Sequence, residues 1–186
     1  MFNEAQDQIY VLQIRSGRTE VYGKLYDKYL DEIYRYVFFK VRHDSNAEDL
    51  TSETFIKVLD YIVTSEKNVD NIRALFYRTA RNLVIDFFRN KHQTETHIDI
   101  DDADTFVASD DDVEILIDIK IDVEKLDNLM SKIKDEYREV LIMKFVNDMS
   151  IGDMARVLDK NTGAVRVLVS RAQQALRRTL KDHPIN

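Results

Sequence analysis

The sequence predicts an all-α protein in which two small helical domains are joined by an acidic linker. Helices are favoured because the 186 residues include only four Gly and one Pro, Pro184, which lies near the end. Apolar residues also recur at the spacing of one helix face along most of the chain. Charge indicates the linker, because residues 98–124 hold eleven Asp or Glu and one Lys in a chain of formal net charge −7.

Three helices are predicted in the first half of the chain. The first is indicated by apolar residues at every fourth position, namely Val21, Leu25, Tyr29, Ile33, Val37 and Val41. Ser45 or Asn46 is the expected N-cap of a second helix that continues to Ile62. A polar connector follows, and Asp70 or Asn71 is the expected cap of the third helix. These three helices can close one hydrophobic core.

The acidic band contains the one strand-like run in the chain, ILIDIKIDV at residues 115–123, in which apolar and charged residues alternate. No second run of this kind exists to pair with it, so we expect no sheet. Helical periodicity returns after the band. The expected organisation is an N-terminal segment, a first domain, the acidic linker and a second domain, at residues 1–19, 20–92, 93–124 and 125–182.

Residues 149–180 predict a helix-turn-helix. Ser150 is the expected cap of a short helix, and Asn161 or Thr162 is the expected cap of a longer helix after a break of about three residues. Ala155 supplies the small residue wanted where the two helices meet. The inner side of the second helix is predicted to carry Val165, Leu168 and Val169.

The same segment is strongly basic, since residues 156–181 hold seven Lys or Arg against one Asp. This charge is typical of a surface that binds phosphates, and the second helix is predicted to enter the major groove with its N-terminal half. The alternative is a helical hairpin whose basic face is only solvated.

The third predicted helix is basic too, with five Lys or Arg against one Asp over residues 73–91. Its charged residues are interleaved with Phe76, Tyr77, Phe87 and Phe88. Basic residues beside aromatic rings suit single-stranded DNA. Aromatic residues at helical spacing are nevertheless more often part of a core, so both interpretations stay open on these residues.

Four stretches stand out by their order and spacing: YDKYLDEIYRYV, AEDLTSETFIKVL, LFYRTARNLVIDFFRNK and IKDEYREVLIMKFVNDMSIGDMARVLDKNTGAVRVLVSRAQQAL. Together they resemble a bacterial RNA polymerase sigma factor of the sigma-70 family, extracytoplasmic-function (ECF) type. The resemblance covers residues 20–91 and 125–180. It implies an alternative sigma factor that binds core polymerase and directs promoter recognition, DNA melting and transcription initiation.

For the first domain the resemblance implies sigma region 2. Its second helix would bind the clamp coiled coil of the polymerase β′ subunit through Glu48, Asp49, Leu50, Glu53 and Phe55. Its third helix would bind the −10 element through Arg78, Arg81, Asn82 and Arg89. The polar loop at residues 64–71 would hold a base that is flipped out of the opening duplex.

For the second domain the resemblance implies sigma region 4, seated on the β flap. It would bind the −35 element through Arg166, Ser170 and Arg171, with Lys144 on a phosphate. Lys160 and Thr162, at the start of the second helix of the motif, complete the predicted DNA contacts. An anti-sigma factor is the expected regulatory partner.

Some residues depart from the pattern of the family. Ser52 stands where Gln is usual, and Asp159 stands in the turn where Gly is common. Asp tolerates the left-handed conformation better than most residues, so the turn is expected to form. Val167 and Leu168 replace a frequent Ser-Arg pair, which predicts apolar contact with thymine methyl groups.

The acidic band has more than one interpretation. Its charge resembles that of nucleic acid, so residues 98–124 are hypothesised to occupy the polymerase channels until growing RNA expels them. The band is also hypothesised to fold back on the basic helices of the free protein. The alternative is a solvated spacer.

An enzyme is not expected, and neither is a metal or cofactor. His43, His92, His97 and His183 are scattered, the four Gly are too dispersed for a phosphate loop, and the chain has no Cys. The N-terminus lacks the pattern of an export signal and no apolar run approaches about 20 residues, so the cytoplasm is the expected location. The rival functions are an autonomous helix-turn-helix regulator and a helical adaptor that binds no DNA.

Overall fold

The computed structural model describes residues 4–92 and 132–182, and every regular element in these two ranges is helical. The predicted all-α fold is therefore confirmed. The chain divides into two compact units, whose main boundary falls between Asn90 and Lys91, and Arg156–Asp159 are grouped with the first unit. The predicted linker at residues 93–124, including the ILIDIKIDV run, lies outside the described residues.

The first unit contains four α-helices. A short 3-10 turn, Thr19–Val21, connects the first helix to the second. The helices are α1 (Glu4–Arg15), α2 (Tyr22–Val41), α3 (Asp44–Thr64) and α4 (Ile72–His92).

Helix α1 is an element that the sequence pattern did not predict. Its inner face buries Val11 and Ile14, but also the carboxylate of Asp7. Lys28 donates to Asp7 Oδ1 and Tyr29 donates to Asp7 Oδ2, both at 2.6 Å. An acidic residue at a buried position weakens the apolar periodicity of a short helix, so the pattern could not show that α1 packs on α2 and α3.

The predicted stripe of α2 forms the centre of this unit. Leu25, Tyr29, Ile33 and Val37 are fully buried. Helix α3 begins at Asp44, one residue before the predicted cap positions, and His43 precedes it without a side-chain cap. That cap prediction was wrong, because the backbone carbonyl of His43 already accepts the first helical bond, from Ala47 N at 2.9 Å.

Helix α4 begins as predicted after Asn71, whose Oδ1 accepts the Ala74 N–H at 2.7 Å. Its inner face meets α2 and α3 through aromatic rings. The Phe76 ring centroid lies 4.7 Å from that of Phe55 and 5.1 Å from that of Tyr29. Offset and tilted ring pairs of this kind stabilise a core beyond the area that they bury.

The second unit holds α5 (Asp135–Leu141), a π-helical turn (Ile142–Val146), most of α6 (Ile151–Leu158) and α7 (Thr162–Asp182). Helix α5 packs against α7. The buried residues of this unit include Ile133, Val140, Leu141, Met143, Met149, Met154, Ala172 and Leu176. The π turn is closed by a bond from Asn147 N to Ile142 O at 3.0 Å.

Candidate nucleic-acid and polymerase interfaces

The helix-turn-helix is defined by local hydrogen bonds at both ends of its turn. Ser150 Oγ accepts the Asp153 N–H at 3.1 Å and donates to the Asp153 carboxylate at 2.8 Å, so the Ser150 side chain caps the start of α6. Asn161 Oδ1 accepts the Ala164 N–H at 2.8 Å and starts α7. These bonds confirm the predicted Ser150 cap and the Asn161 alternative for the second cap.

The turn itself is made by Asp159, which takes the left-handed conformation with φ 52°. The Lys160 N–H bonds back to Ala155 O at 3.1 Å, the bond that closes a Schellman motif. The turn therefore forms with Asp where the family often has Gly, as predicted. Ala155 is buried in α6, and Val165, Leu168 and Val169 are buried along the inner side of α7.

The outer side of α7 presents polar and basic side chains. Thr162, Arg166 and Arg171 are exposed, and Ser170 is half-buried. Lys160 is exposed at the turn, with its Nζ 3.8 Å from Glu136 Oε1. An exposed ion pair at this distance is weak, so it contributes little to stability. Lys144 lies half-buried in the π turn.

The two departures in α7 do not occupy equivalent positions. Leu168 is 8% exposed and belongs to the core of the unit, so its side chain is not available to a thymine methyl group. That half of the expectation was wrong, because position 168 lies one turn beyond Val165 on the inner side of the helix. Val167 is half-buried and is the apolar side chain of the pair that remains accessible.

Helix α4 carries an exposed polar stripe. Arg78, Asn82 and Arg89 are exposed, and their spacing of four and seven residues places them on one face of the helix. Arg81 is half-buried beside this face. Arg89 forms an exposed ion pair with Asp86 at 2.9 Å. Ile85, which is 45% exposed, lies on the same face between Asn82 and Arg89.

The inner residues of α4 are structural. Phe76 and Tyr77 are fully buried, which favours the core interpretation for these two rings. Arg73 is buried too, and its Nη2 lies 2.5 Å from Glu32 Oε1. The Tyr77 hydroxyl donates to the same oxygen at 2.7 Å, and burial raises the pKa of Tyr77 well above its ordinary value. The positive charge of Arg73 therefore balances the negative charge of Glu32 in the core. Arg73 does not contribute to the basic surface that the sequence predicted for this helix.

The predicted polymerase-binding residues of α3 divide into two groups. Glu48, Asp49 and Glu53 are exposed, whereas Leu50 and Phe55 are 8% and 3% exposed and lie in the core. Leu50 and Phe55 hold the helix in place and do not form part of its surface, because they lie on the side of α3 that faces the core.

Sequence reasoning missed an apolar residue on the exposed face of α3. Ile56 is 68% exposed and lies three residues after Glu53 and seven after Asp49, on the same side of the helix. The sequence contained a sign of this residue, because its helical spacing from Glu53 and Asp49 puts an isoleucine on an otherwise polar face. Val63, 52% exposed, continues this face toward the end of α3.

Residues 4–92 and 132–182 contain no group of three or more His, Asp or Glu side chains that could hold a metal ion. In the same part of the chain no helix is long and apolar enough to cross a membrane.

Comparison with known families matches each unit to a separate region of one kind of protein. Residues 25–94 match the model of sigma-70 region 2, and residues 123–176 match that of sigma-70 region 4. The chain belongs to the sigma-70 family. The resemblance seen in the sequence is confirmed. The region 2 match includes α3 and α4, and the region 4 match includes the turn of the helix-turn-helix.

Similar curated proteins are ECF RNA polymerase sigma factors. BldN of Streptomyces coelicolor is 33% identical over 180 residues, and the match spans 92% of this chain and 65% of BldN. SigW of Bacillus subtilis is 27% identical over 183 residues, with 92% of this chain and 95% of SigW covered. Both relatives are ECF sigma factors, and the chain spans 65% of the length of BldN.

Solved structures share the fold. CnrH, determined in complex with the cytosolic domain of CnrY, matches with a TM-score of 0.71 at 19% identity over 95% of this chain and 98% of that one. RpoE of Bartonella quintana, determined with the anti-sigma factor NepR, matches with a TM-score of 0.60 at 17% identity, covering 87% of this chain and 97% of RpoE.

Proposed function

We propose that this chain acts as an alternative sigma factor whose two units divide promoter recognition between them. The observation that carries the proposal is the pairing of two exposed basic helices with the two sigma-70 regions, α4 in region 2 and α7 in region 4. Phosphate contacts from Arg and Lys supply much of the affinity for DNA, and side chains in the groove supply specificity.

The domain at residues 20–92, which forms most of the first unit, would bind the −10 element through α4. The exposed stripe of Arg78, Asn82 and Arg89 supports this role, with Arg81 beside it. Arg78 and Arg89 are eleven residues apart, which is about 16 Å along a helix, so both can reach phosphates of one strand. The loop at residues 65–71, directly before α4, would hold the flipped base.

The exposed face of α3 would bind the polymerase β′ clamp through Glu48, Asp49, Glu53 and Ile56. In such an interface the apolar side chain would be buried against the partner. The surrounding acidic side chains would favour a partner with a complementary positive charge. Leu50 and Phe55 keep a supporting role in this proposal.

Replacing Ile56 with Ser is expected to weaken binding to core polymerase by at least about 10-fold, because a central apolar contact dominates a small interface. Its exposure predicts a change in the free energy of unfolding within about 0.5 kcal/mol. Fluorescence anisotropy of the labelled protein with core enzyme measures the affinity. Ile85→Ser, an exposed isoleucine of α4, is the matched control, and equal affinities for the two variants would exclude Ile56 from the interface.

The second unit, at residues 125–182, would read the −35 element. The N-terminal half of α7 would enter the major groove with Thr162, Arg166, Ser170 and Arg171, while Lys144 and Lys160 contact phosphates. The acidic linker at residues 93–124 would join the two units and reach the polymerase channels.

Regulation and location follow from the same proposal. The chain would work in the cytoplasm, where polymerase and promoter DNA are found, and an anti-sigma factor would restrain it by covering its polymerase-binding surfaces. It would catalyse no reaction and need no cofactor, because binding energy alone would open the promoter.

In vitro transcription from a pooled promoter library, with core polymerase and with or without the protein, tests the proposal. We expect start sites that appear only with the protein and share sequences near −10 and −35. No new start sites, together with tight duplex binding by the protein alone, would favour an autonomous regulator. No dependence on DNA in either assay would favour a helical adaptor.

A further inference from the structure

The loop between α3 and α4, residues 65–71, is held by side chains of α1. Gln8 Nε2 donates to the carbonyl oxygens of Val69 and Asp70 at 2.6 and 2.9 Å. Arg15 Nη2 donates to the carbonyl of Lys67. These partners are 52 to 62 residues apart in sequence, so the N-terminal helix sets the shape of a distant loop.

The ends of this loop have further anchors, one of which, Glu4, is also in α1. At one end the Ser65 N–H bonds to Tyr61 O at 3.0 Å and extends the last turn of α3. At the other end Asn71 caps α4 and its Nδ2 donates to Glu4 Oε1 at 3.0 Å. The middle of the loop depends on α1, because the bonds from Gln8 and Arg15 reach the carbonyls at positions 67, 69 and 70.

The hydrogen bonds leave polar side chains of the loop exposed. Val69 is buried, whereas Glu66, Lys67, Asn68 and Asp70 are exposed. Asn68 lies between two residues whose carbonyls are bonded to α1. Its amide has both donors and an acceptor, the groups that recognise the edge of a base.

We propose that α1 is a positioning element for promoter opening, in which Gln8 and Arg15 hold the loop in the shape that receives an unstacked base. Capturing such a base must offset lost stacking, and a loop that is already ordered loses less entropy on binding. Arg15 also bonds through Nε to Ile62 O at 3.2 Å, which ties the loop to the end of α3. The inference rests on the proposed sigma function.

Replacing Gln8 with Ala tests the inference in the full chain bound to core polymerase. The templates are copies of one promoter found by the transcription screen, with the −10 region already unpaired. Each copy carries an abasic nucleotide at a different position of the −10 element, and the affinity of the complex for each copy is measured. With the unaltered protein, one abasic position is expected to weaken binding about 3- to 10-fold. Gln8→Ala is expected to weaken binding to the intact template by a similar factor. For this variant, making the same position abasic is then expected to cause no further loss of affinity, so the abasic penalty disappears.

Gln13→Ala is the matched control. It removes the same side chain from the same helix, and within the described residues Gln13 makes no side-chain hydrogen bond to the loop. We expect it to keep the abasic penalty of the unaltered protein. If Gln8→Ala keeps the full penalty, or weakens binding equally at every abasic position, the positioning role is overturned. Failure of the unaltered protein to open any promoter would instead contradict the sigma function itself.

Discussion

Replacing Arg73 with Met is expected to lower the free energy of unfolding of the first unit by about 3 to 5 kcal/mol. Arg73 and Glu32 are both buried, and the Arg73 Nε and Nη2 atoms lie 2.6 and 2.5 Å from the same Glu32 oxygen. Methionine keeps most of the apolar stem, so the loss comes from a buried carboxylate without its cation. The Tyr77 hydroxyl continues to donate to Glu32, but it carries no positive charge.

Urea unfolding followed by tyrosine fluorescence measures this effect, because eight of the nine Tyr precede residue 91 and report on the first unit. Lys57→Met is the control. Lys57 pairs with Glu53 at 3.3 Å, and both side chains are about half exposed, so its loss is expected to change stability by less than about 1 kcal/mol. Similar effects of the two substitutions would contradict the structural role of the buried pair. Adding Glu32→Leu to Arg73→Met is expected to restore part of the loss, since no buried charge then remains.

Replacing both Arg166 and Arg171 with Ala is expected to lower promoter-specific transcription by about 100-fold or more. Each arginine that contacts a base edge or phosphate contributes about 1 to 3 kcal/mol. Both side chains are exposed on α7, so the free energy of unfolding is expected to change by less than about 0.5 kcal/mol each.

Start-site mapping with core polymerase measures this loss, and a library randomised at −35 separates its causes. Replacing an arginine that contacts a base edge relaxes the sequence preference at one position of the −35 element. Replacing an arginine that contacts a phosphate lowers the affinity for all sequences alike. Lys132→Ala with Lys181→Ala removes the same charge from exposed positions outside the N-terminal half of α7. If this control loses as much activity as the arginine pair, general electrostatic attraction explains the effect and α7 does not read the −35 element.

The helix-turn-helix shows how far local patterns carry a prediction. Ser150, Asn161 and Asp159 were recognised from sequence because a cap or a left-handed turn depends on bonds within a few residues. The exposed arginines of α4 and α7 were predictable for a similar reason, since helical spacing decides which face a side chain occupies. The roles of these residues at promoter DNA stay predictions.

Sequence alone was enough to predict that the regular elements of residues 4–92 and 132–182 are helices, that the chain carries sigma regions 2 and 4, and where the turn of its helix-turn-helix lies. The structure was needed to show that α1 is a packed helix, that the side chains of Leu50 and Phe55 lie in the core, and that Arg73 forms a buried ion pair with Glu32. The physical reason is separation along the chain. Asp7 meets Tyr29 and Arg73 meets Glu32 across 22 and 41 residues, and a buried polar contact of this length leaves no periodic signal in the sequence.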